Sequence, residues 1–199
     1  ATLGELTFGH GQGVGTMAFF AIGTGIGGGI AIDGQLRLGK LGAAGELGHQ
    51  TIEPDGPWCG CGNRGCMEAF CRADQVAAEC GTADPREAIE KAREGDQRCI
   101  DGLARIGRYL GIGLSNAVTV LTPERIILGG GWSSAGDLIT EAIAAEMEAR
   151  VLIDSGDRVD IVIAELGTWA GAIGAAVHGA EQAARRGLIE LPPEAEVHA

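Results

Sequence analysis

Apolar residues fall into short runs early in the chain and into helical periodicity further on. Residues 16–22 are an almost unbroken apolar run with two phenylalanines; a glycine turn follows, then shorter apolar stretches at 29–32 and around 36–38. Short runs punctuated by glycine predict antiparallel strands. Ahead of them, residues 1–13 read as the tail of a helix entering a glycine loop, because helix formers give way to Gly9, Gly11, Gly13 and Gly15. Asp84 and Pro85 supply an N-cap and first-turn pair for a helix ending near Arg93, and Gly95-Asp96 separates it from a longer helix over about 97–121 that Pro123 stops. Residues 125–128 read as a buried strand, 134–150 as a helix, 159–166 as a strand and 169–186 as an alanine-rich helix. The tail, 191–199, reads as a frayed end. Strands alternating with helices of this length predict an α/β layer fold with a partly parallel sheet. No repeat of fixed period interrupts it.

Composition narrows the class. Glycine supplies 35 of 199 residues, about 18% against a usual 7%, without a collagen period and with ample Ile, Leu, Val and Ala for a core. The length suits one ordinary domain or a piece of a larger protein. Against 15 basic residues stand 27 acidic ones, a net charge of -12, which argues against a nucleic-acid partner for this domain. No apolar run approaches a membrane span, and no secretory pattern opens the chain. The expectation is a soluble cytoplasmic protein with no membrane contact.

Residues 46–68 are polar, irregular and rich in glycine and cysteine. Cys59, Cys61 and Cys66 lie within eight residues, interleaved with Gly60, Gly62 and Gly65, and His49 lies ten residues before Cys59. Three thiolates and an imidazole form a tetrahedral zinc set, and glycines let the backbone curl around the ion. Four protein ligands leave no open coordination position, so such a zinc is structural. Its binding orders a loop by on the order of 10 kcal/mol. The alternative is a disulfide between two of these cysteines with the third free. Cys71, Cys80 and Cys99 sit on segments that read as helix and serve as small apolar fillers. Glu46 and Glu68 bracket the loop beside His49. Fixed carboxylates can accept hydrogen bonds from the hydroxyls of a sugar; the other reading is two solvated loop charges.

Two glycine strings remain. GTGIGGG, residues 23–29, contains the GxGxxG spacing at Gly23, Gly25 and Gly28, but strand and not helix follows it, which excludes a dinucleotide fingerprint. The turn is either a plain hairpin or a nest in which backbone N–H groups and Thr24 meet a phosphate. ILGGG, residues 127–131, ends a buried strand before a helix, where glycines let a nucleotide approach the backbone of an α/β sheet.

GTGIGGG, GELGH, CGCGNRGCME, ILGGG and WAGAIGAA, in this order, resemble the ROK family of sugar kinases and repressors across nearly the whole chain. The resemblance implies an α/β fold of the actin-like ATPase (ribonuclease H-like) type, a mixed sheet with flanking helices and a zinc-bound loop. It implies zinc on His49, Cys59, Cys61 and Cys66, sugar hydroxyls on Glu46, His49 and Glu68, ATP phosphates near Thr24 and Gly25, and adenosine near Gly129, Gly130 and Gly131. In the family's kinases a general-base Asp lies just before a helix reading ALGE. This chain opens at ATLGE, so the base is expected upstream of Ala1, in an N-terminal domain of which 1–199 would be the larger C-terminal companion. Glu5, the first carboxylate, receives no catalytic role. The last helix, 169–186, is expected to pack toward that N-terminal domain and otherwise to leave an apolar face exposed. The resemblance thus implies a protein of carbohydrate metabolism that transfers the ATP γ-phosphate to a hexose, glucose first, with Mg²⁺, this portion alone being inactive. Its alternatives are the sugar-sensing domain of a repressor and a zinc-stabilised fragment without activity. Glu46, His49 and Glu68 would serve glucose, mannose, fructose or an acetamido sugar alike. A homodimer or higher homo-oligomer is expected.

Overall fold

The computed structural model describes residues 1–131, 135–152 and 159–190. At its centre is β1 (Met17–Ile22), which pairs antiparallel with β2 (Ile26–Ile32) and parallel with β4 (Arg125–Gly129). Outside these lie the two-residue β3 (Gln35–Leu36) and β5 (Asp160–Ile163), giving a mixed sheet of order β3-β2-β1-β4-β5. The register sets Ala21 opposite Gly129, so β1 and β4 end side by side. β1 is a continuous apolar run because both of its faces are covered. Ala18, Phe20 and Ile22 join Ile126 and Leu128 beneath the main helical layer, whereas Met17 and Phe19 join Ala31 and Ile127 in a smaller core on the opposite face.

The main layer is built on α5 (Gln97–Leu121), whose Leu103, Ile106, Leu110, Leu114 and Val118 recur at helical spacing and are buried. The Asp96 side chain accepts from Cys99 N–H at its start, and Asp84 caps α4 (Pro85–Arg93) in the same way through Arg86 and Glu87. α6 (Asp137–Arg150) crosses α5 where Gly107 and Gly111 leave room: a Cβ on Gly107 would stand 2.7 Å from the Ile139 carbonyl oxygen. The short helices α2 (Met67–Cys71) and α3 (Ala73–Cys80) complete this layer. Cys71, Cys80 and Cys99 are all buried in its core. On the other face α1 (Thr2–Phe8) supports α7 (Ala170–Arg185), with Gly4 and Gly174 at their crossing. α7 buries only Ala170 and Gly174. Trp169, just ahead of it, is exposed. No helix among the described residues is long and apolar enough to cross a membrane.

The mixed sheet, the helix near the start, and the elements expected at 85–93 and 97–121 agree with the sequence reading. Several boundaries do not. β2 starts at Ile26, so the turn is only Gly23, Thr24 and Gly25, and Gly27, Gly28 and Gly29 are strand. Gly28 is pressed against the Gly45 carbonyl and Leu47, and Gly29 against Thr2, approaches that no side chain would permit. The strand expected over 159–166 stops at Ile163, because Glu165 and Leu166 give their N–H groups to the Glu5 carboxylate. The last helix begins one residue later than expected, after a single 3₁₀ turn at Gly167–Trp169. The 134–150 helix starts at Asp137, and Ser134 and the 191–199 tail lie outside the described residues.

Candidate functional site

Residues 46–68 form no long element, yet their backbone is closely stitched. The 3₁₀ turn Leu47–His49 opens the segment, Thr51 bridges Cys66, and Trp58 bridges Arg64. Cys59 N–H donates to the Asn63 carbonyl, and Gly62 N–H to that of Cys59. Arg64 donates to the Gly56 and Asp55 carbonyls while its guanidinium lies 5.4 Å from the Trp58 ring centroid. Gly65, at φ +67° and against the Glu53 backbone, lets the chain return to Cys66.

This backbone gathers His49, Cys59, Cys61 and Cys66 so that one donor atom from each lies within 4.8 Å of all the others. His49 Nδ1 is 3.6 Å from Cys59 Sγ, and Cys61 Sγ is 3.6 Å from Cys66 Sγ. A tetrahedral zinc with Zn–S near 2.3 Å and Zn–N near 2.0 Å would separate its donors by about 3.5–3.8 Å. Both donor chemistry and spacing therefore fit an ion of that kind. None of these cysteines is in a disulfide. Burial pushes the Cys59 and Cys66 thiols up, whereas the Asn63 backbone hydrogen bond pulls the exposed Cys61 down, making Cys61 the readiest thiolate of the set.

His49 faces two ways. Its Nδ1 is in the thiol cluster, and its Nε2 is 3.8 Å from Glu46 Oε2. Glu46 is largely exposed. Glu68 lies in the first turn of α2, two residues past Cys66, and is half-buried. Its Oε2 accepts from Ile26 N–H at 2.7 Å, and its Oε1 lies 3.5 Å from Cys59 Sγ, which donates to it. Glu68 is thus no solvated charge: it links the thiol cluster to the Gly23–Gly25 turn. Gly25 makes that possible, since a Cβ there would stand 2.5 Å from Glu68 Oε2.

Thr24 is exposed at the tip of this turn. The parallel pairing of β1 and β4 brings Gly129, Gly130 and Gly131 to the same end of the sheet. A Cβ on Gly23 would be 4.0 Å from Gly131 N, and Gly130, at φ +99°, is pressed against the Ile22 backbone. Thr24, Gly25 and the second glycine string are therefore neighbours across the ends of two strands, and Glu68 joins them to the cysteine loop.

Two working residues carried little or no signal in the sequence. Glu5 is fully buried, its Oε2 accepting from His10 and Glu165 N–H and its Oε1 from Leu166 N–H at 2.8 Å. It holds the chain leaving β5 against α1. Gln50 closes the base of the cysteine loop, accepting from Met67 N–H on its carbonyl and donating from its side chain to the Leu47 carbonyl. Only an ALGE-like string marked the first, and nothing marked the second.

The sequence profile of the ROK family matches residues 1–181. A glucokinase of Halalkalibacterium halodurans is 34% identical over 194 residues, covering 87% of this chain and 59% of that protein. A xylose repressor of Bacillus spizizenii is 33% identical over 175 residues, covering 86% of this chain and 46% of the repressor. The solved structure of a ROK family glucokinase from Streptomyces griseus, in complex with glucose and AMPPNP, superposes with a TM-score of 0.80 at 32% identity, covering 89% of this chain and 64% of that one. This chain spans about three fifths of the length of the glucokinases it matches. The expected actin-like ATPase fold is borne out by this superposition and by the mixed sheet.

Proposed function

The chain belongs to the ROK family, and on that footing we propose that it is the sugar-holding portion, with part of the ATP site, of a sugar kinase that phosphorylates a hexose, glucose first. The observation that carries this reading is the Glu68 side chain, which has one oxygen at the thiol cluster and the other on the turn that bears Thr24. A sugar held by Glu46, His49 and Glu68 would lie beside the place where phosphates would be held. Phosphoryl transfer requires that juxtaposition above all, because its catalysis is mostly positioning and charge stabilisation.

In this reading Glu46 and Glu68 accept hydrogen bonds from sugar hydroxyls, and His49 presents Nε2 to the same space. The Thr24 hydroxyl and the amides around Gly25 receive the phosphates of Mg²⁺-ATP. Gly129, Gly130 and Gly131 allow adenosine to approach the backbone. His49, Cys59, Cys61 and Cys66 would hold a zinc whose contribution is to close the loop that carries the sugar-facing groups. Glu5 cannot take the acceptor's proton, since both of its oxygens are engaged with backbone amides in the interior. The base is then the Asp that the family resemblance puts ahead of Ala1. This chain alone is expected to turn nothing over, and the intact protein to work as a cytoplasmic homodimer or larger homo-oligomer.

The repressor relative supports a second reading, a sugar-sensing domain, from its 33% identity. A sensor needs the sugar cluster but has no use for glycines shaped to admit a nucleotide at the ends of β1 and β4. The discriminating experiment is titration of the zinc-loaded chain with Mg²⁺-AMPPNP, with and without glucose, together with a coupled assay for ADP on the intact protein. Nucleotide binding with hexose-dependent ADP release supports the kinase. Sugar binding with neither nucleotide binding nor ADP release rejects it in favour of the sensor.

A further inference from the structure

We infer that Glu68, besides facing the sugar, has a positioning role: its side chain is the strut through which the cysteine loop, once it holds a metal, fixes the Gly23–Gly25 turn for phosphate. The inference rests on the metal and phosphate roles proposed above. It begins with the Ile26 amide. β3 pairs only with Ala31 and Ile32, so the outer edge of β2 near Ile26 has no strand beside it, and its backbone donor needs a partner from elsewhere. Glu68 Oε2 supplies that partner at 2.7 Å, a short charge-assisted hydrogen bond.

The same carboxylate is tied to the metal-binding loop by its position on α2. Cys66 is the N-cap of α2, so Glu68 follows a metal donor by two residues on a rigid turn of helix. Its Oε1 accepts from the Cys59 thiol at 3.5 Å in the metal-free cluster; a metal would take that thiol's proton away, so in the loaded state the tie runs through α2. The turn is also held from other sides by neighbouring segments. Ala73 N–H, just past α2, donates to the Gly23 carbonyl at 2.9 Å, and Gly48, next to His49, packs on the Ile26 carbonyl. Ordering the four donors around an ion therefore orders the groups that grip the turn. Gly25 keeps the space for the carboxylate clear.

Residue-resolved hydrogen exchange tests this without reference to turnover. The chain is compared zinc-loaded and after chelation, as the parent and as Glu68→Gln, Glu68→Ala and Gly25→Ala, with zinc content measured on each sample. In the parent, removing zinc should speed exchange at the Ile26 amide by about tenfold and leave Phe20, in the core of β1, unchanged. Glu68→Ala should bind zinc yet exchange fast at Ile26 whether loaded or not, with Glu68→Gln between the two. Should Glu68→Ala not fold, Gly25→Ala asks the same question, since its methyl group displaces Oε2 while all four metal donors stay intact. Zinc-dependent protection at Ile26 that is as large in the Glu68 or Gly25 variants as in the parent overturns the strut. So does a parent that binds zinc with no change at Ile26, which leaves the metal reading standing; a parent that binds no zinc overturns both.

Discussion

Replacing Glu5 by alanine removes the one acceptor shared by three backbone N–H groups, those of His10, Glu165 and Leu166. A buried donor left without a partner costs about 1–3 kcal/mol, but these bonds are only partly buried and water can recover some of the loss. The expected destabilisation is therefore about 2–4 kcal/mol. Glu5→Gln is the sharper probe. Two of the N–H groups converge on Oε2 and one on Oε1, so a glutamine can turn its carbonyl toward the pair, but its NH₂ group then faces Leu166 N–H, which it cannot accept from. One hydrogen bond is lost and two lose their charge, while the cost of burying a carboxylate disappears, so the net loss should be about 1–2 kcal/mol. Urea unfolding followed by circular dichroism at fixed, saturating zinc would read these as shifts of midpoint at constant slope. Glu165→Gln is the control: its carboxylate is exposed and only 3.8 Å from His10 Nε2, so it should stay within about 0.5 kcal/mol of the parent. A Glu5→Ala protein within that same margin would mean that solvent already serves the three amides. A Glu5→Gln protein more stable than the parent would mean that desolvation of the carboxylate outweighs its hydrogen bonds. Either result refutes the view of Glu5 as the clasp between α1 and the chain leaving β5.

Gly28→Ala places a Cβ 2.6 Å from the Gly45 carbonyl oxygen and 2.9 Å from Leu47, so it should cost about 1–3 kcal/mol and weaken zinc binding by shifting the segment that carries His49. Gly27→Ala, with nothing within 4 Å, should stay within about 0.5 kcal/mol on the same unfolding and zinc-competition measurements. The chain should bind one zinc per molecule by elemental analysis, and chelation from a strongly saturated state should lower the melting temperature by roughly 8–16 °C. Cys59→Ser should lose most of that zinc dependence. Asp96 accepts from Cys99 N–H, which holds its carboxyl below the usual carboxylate range. Its stabilisation of α5 is therefore fully present above the unfolded-state value near pH 4 and is lost as pH falls through the lower folded value. Melting temperature should accordingly drop more steeply with acid in the parent than in Asp96→Asn, and identical pH profiles would exclude the cap as the cause.

What the sequence made legible was what neighbouring residues decide among themselves. α4 and α5 could be bounded closely because Asp84, Pro85 and Asp96 act within a few residues of where they stand. The cysteine loop could be recognised because three of its four donors are spaced along eight residues, and the fold gathers all four. β2 was half-hidden for the opposite reason. Its glycines bear no side chain to mark a face, and they are there for Thr2, Gly45 and Leu47, partners known only once the chain is folded.

The same distinction explains why the candidate site was only partly readable. Glu68 could be suspected of hydroxyl binding from its place in the loop, but its bond to Ile26 spans 42 positions and depends on β3 being too short to cover that edge of β2. Glu5 reaches Leu166 across 161 positions, and nothing near it in sequence distinguishes it from an ordinary helix-surface carboxylate. In both cases a carboxylate occupies a place where a strand or turn has left backbone amides without a partner. That shared arrangement accounts for part of the glycine excess as well. At Gly25 the missing Cβ admits the Glu68 carboxylate, and at Gly9 it avoids a collision with the Glu5 side chain. Glycine content that sequence statistics could only call unusual is, at these two positions, the space required by carboxylates that tie distant parts of the chain together.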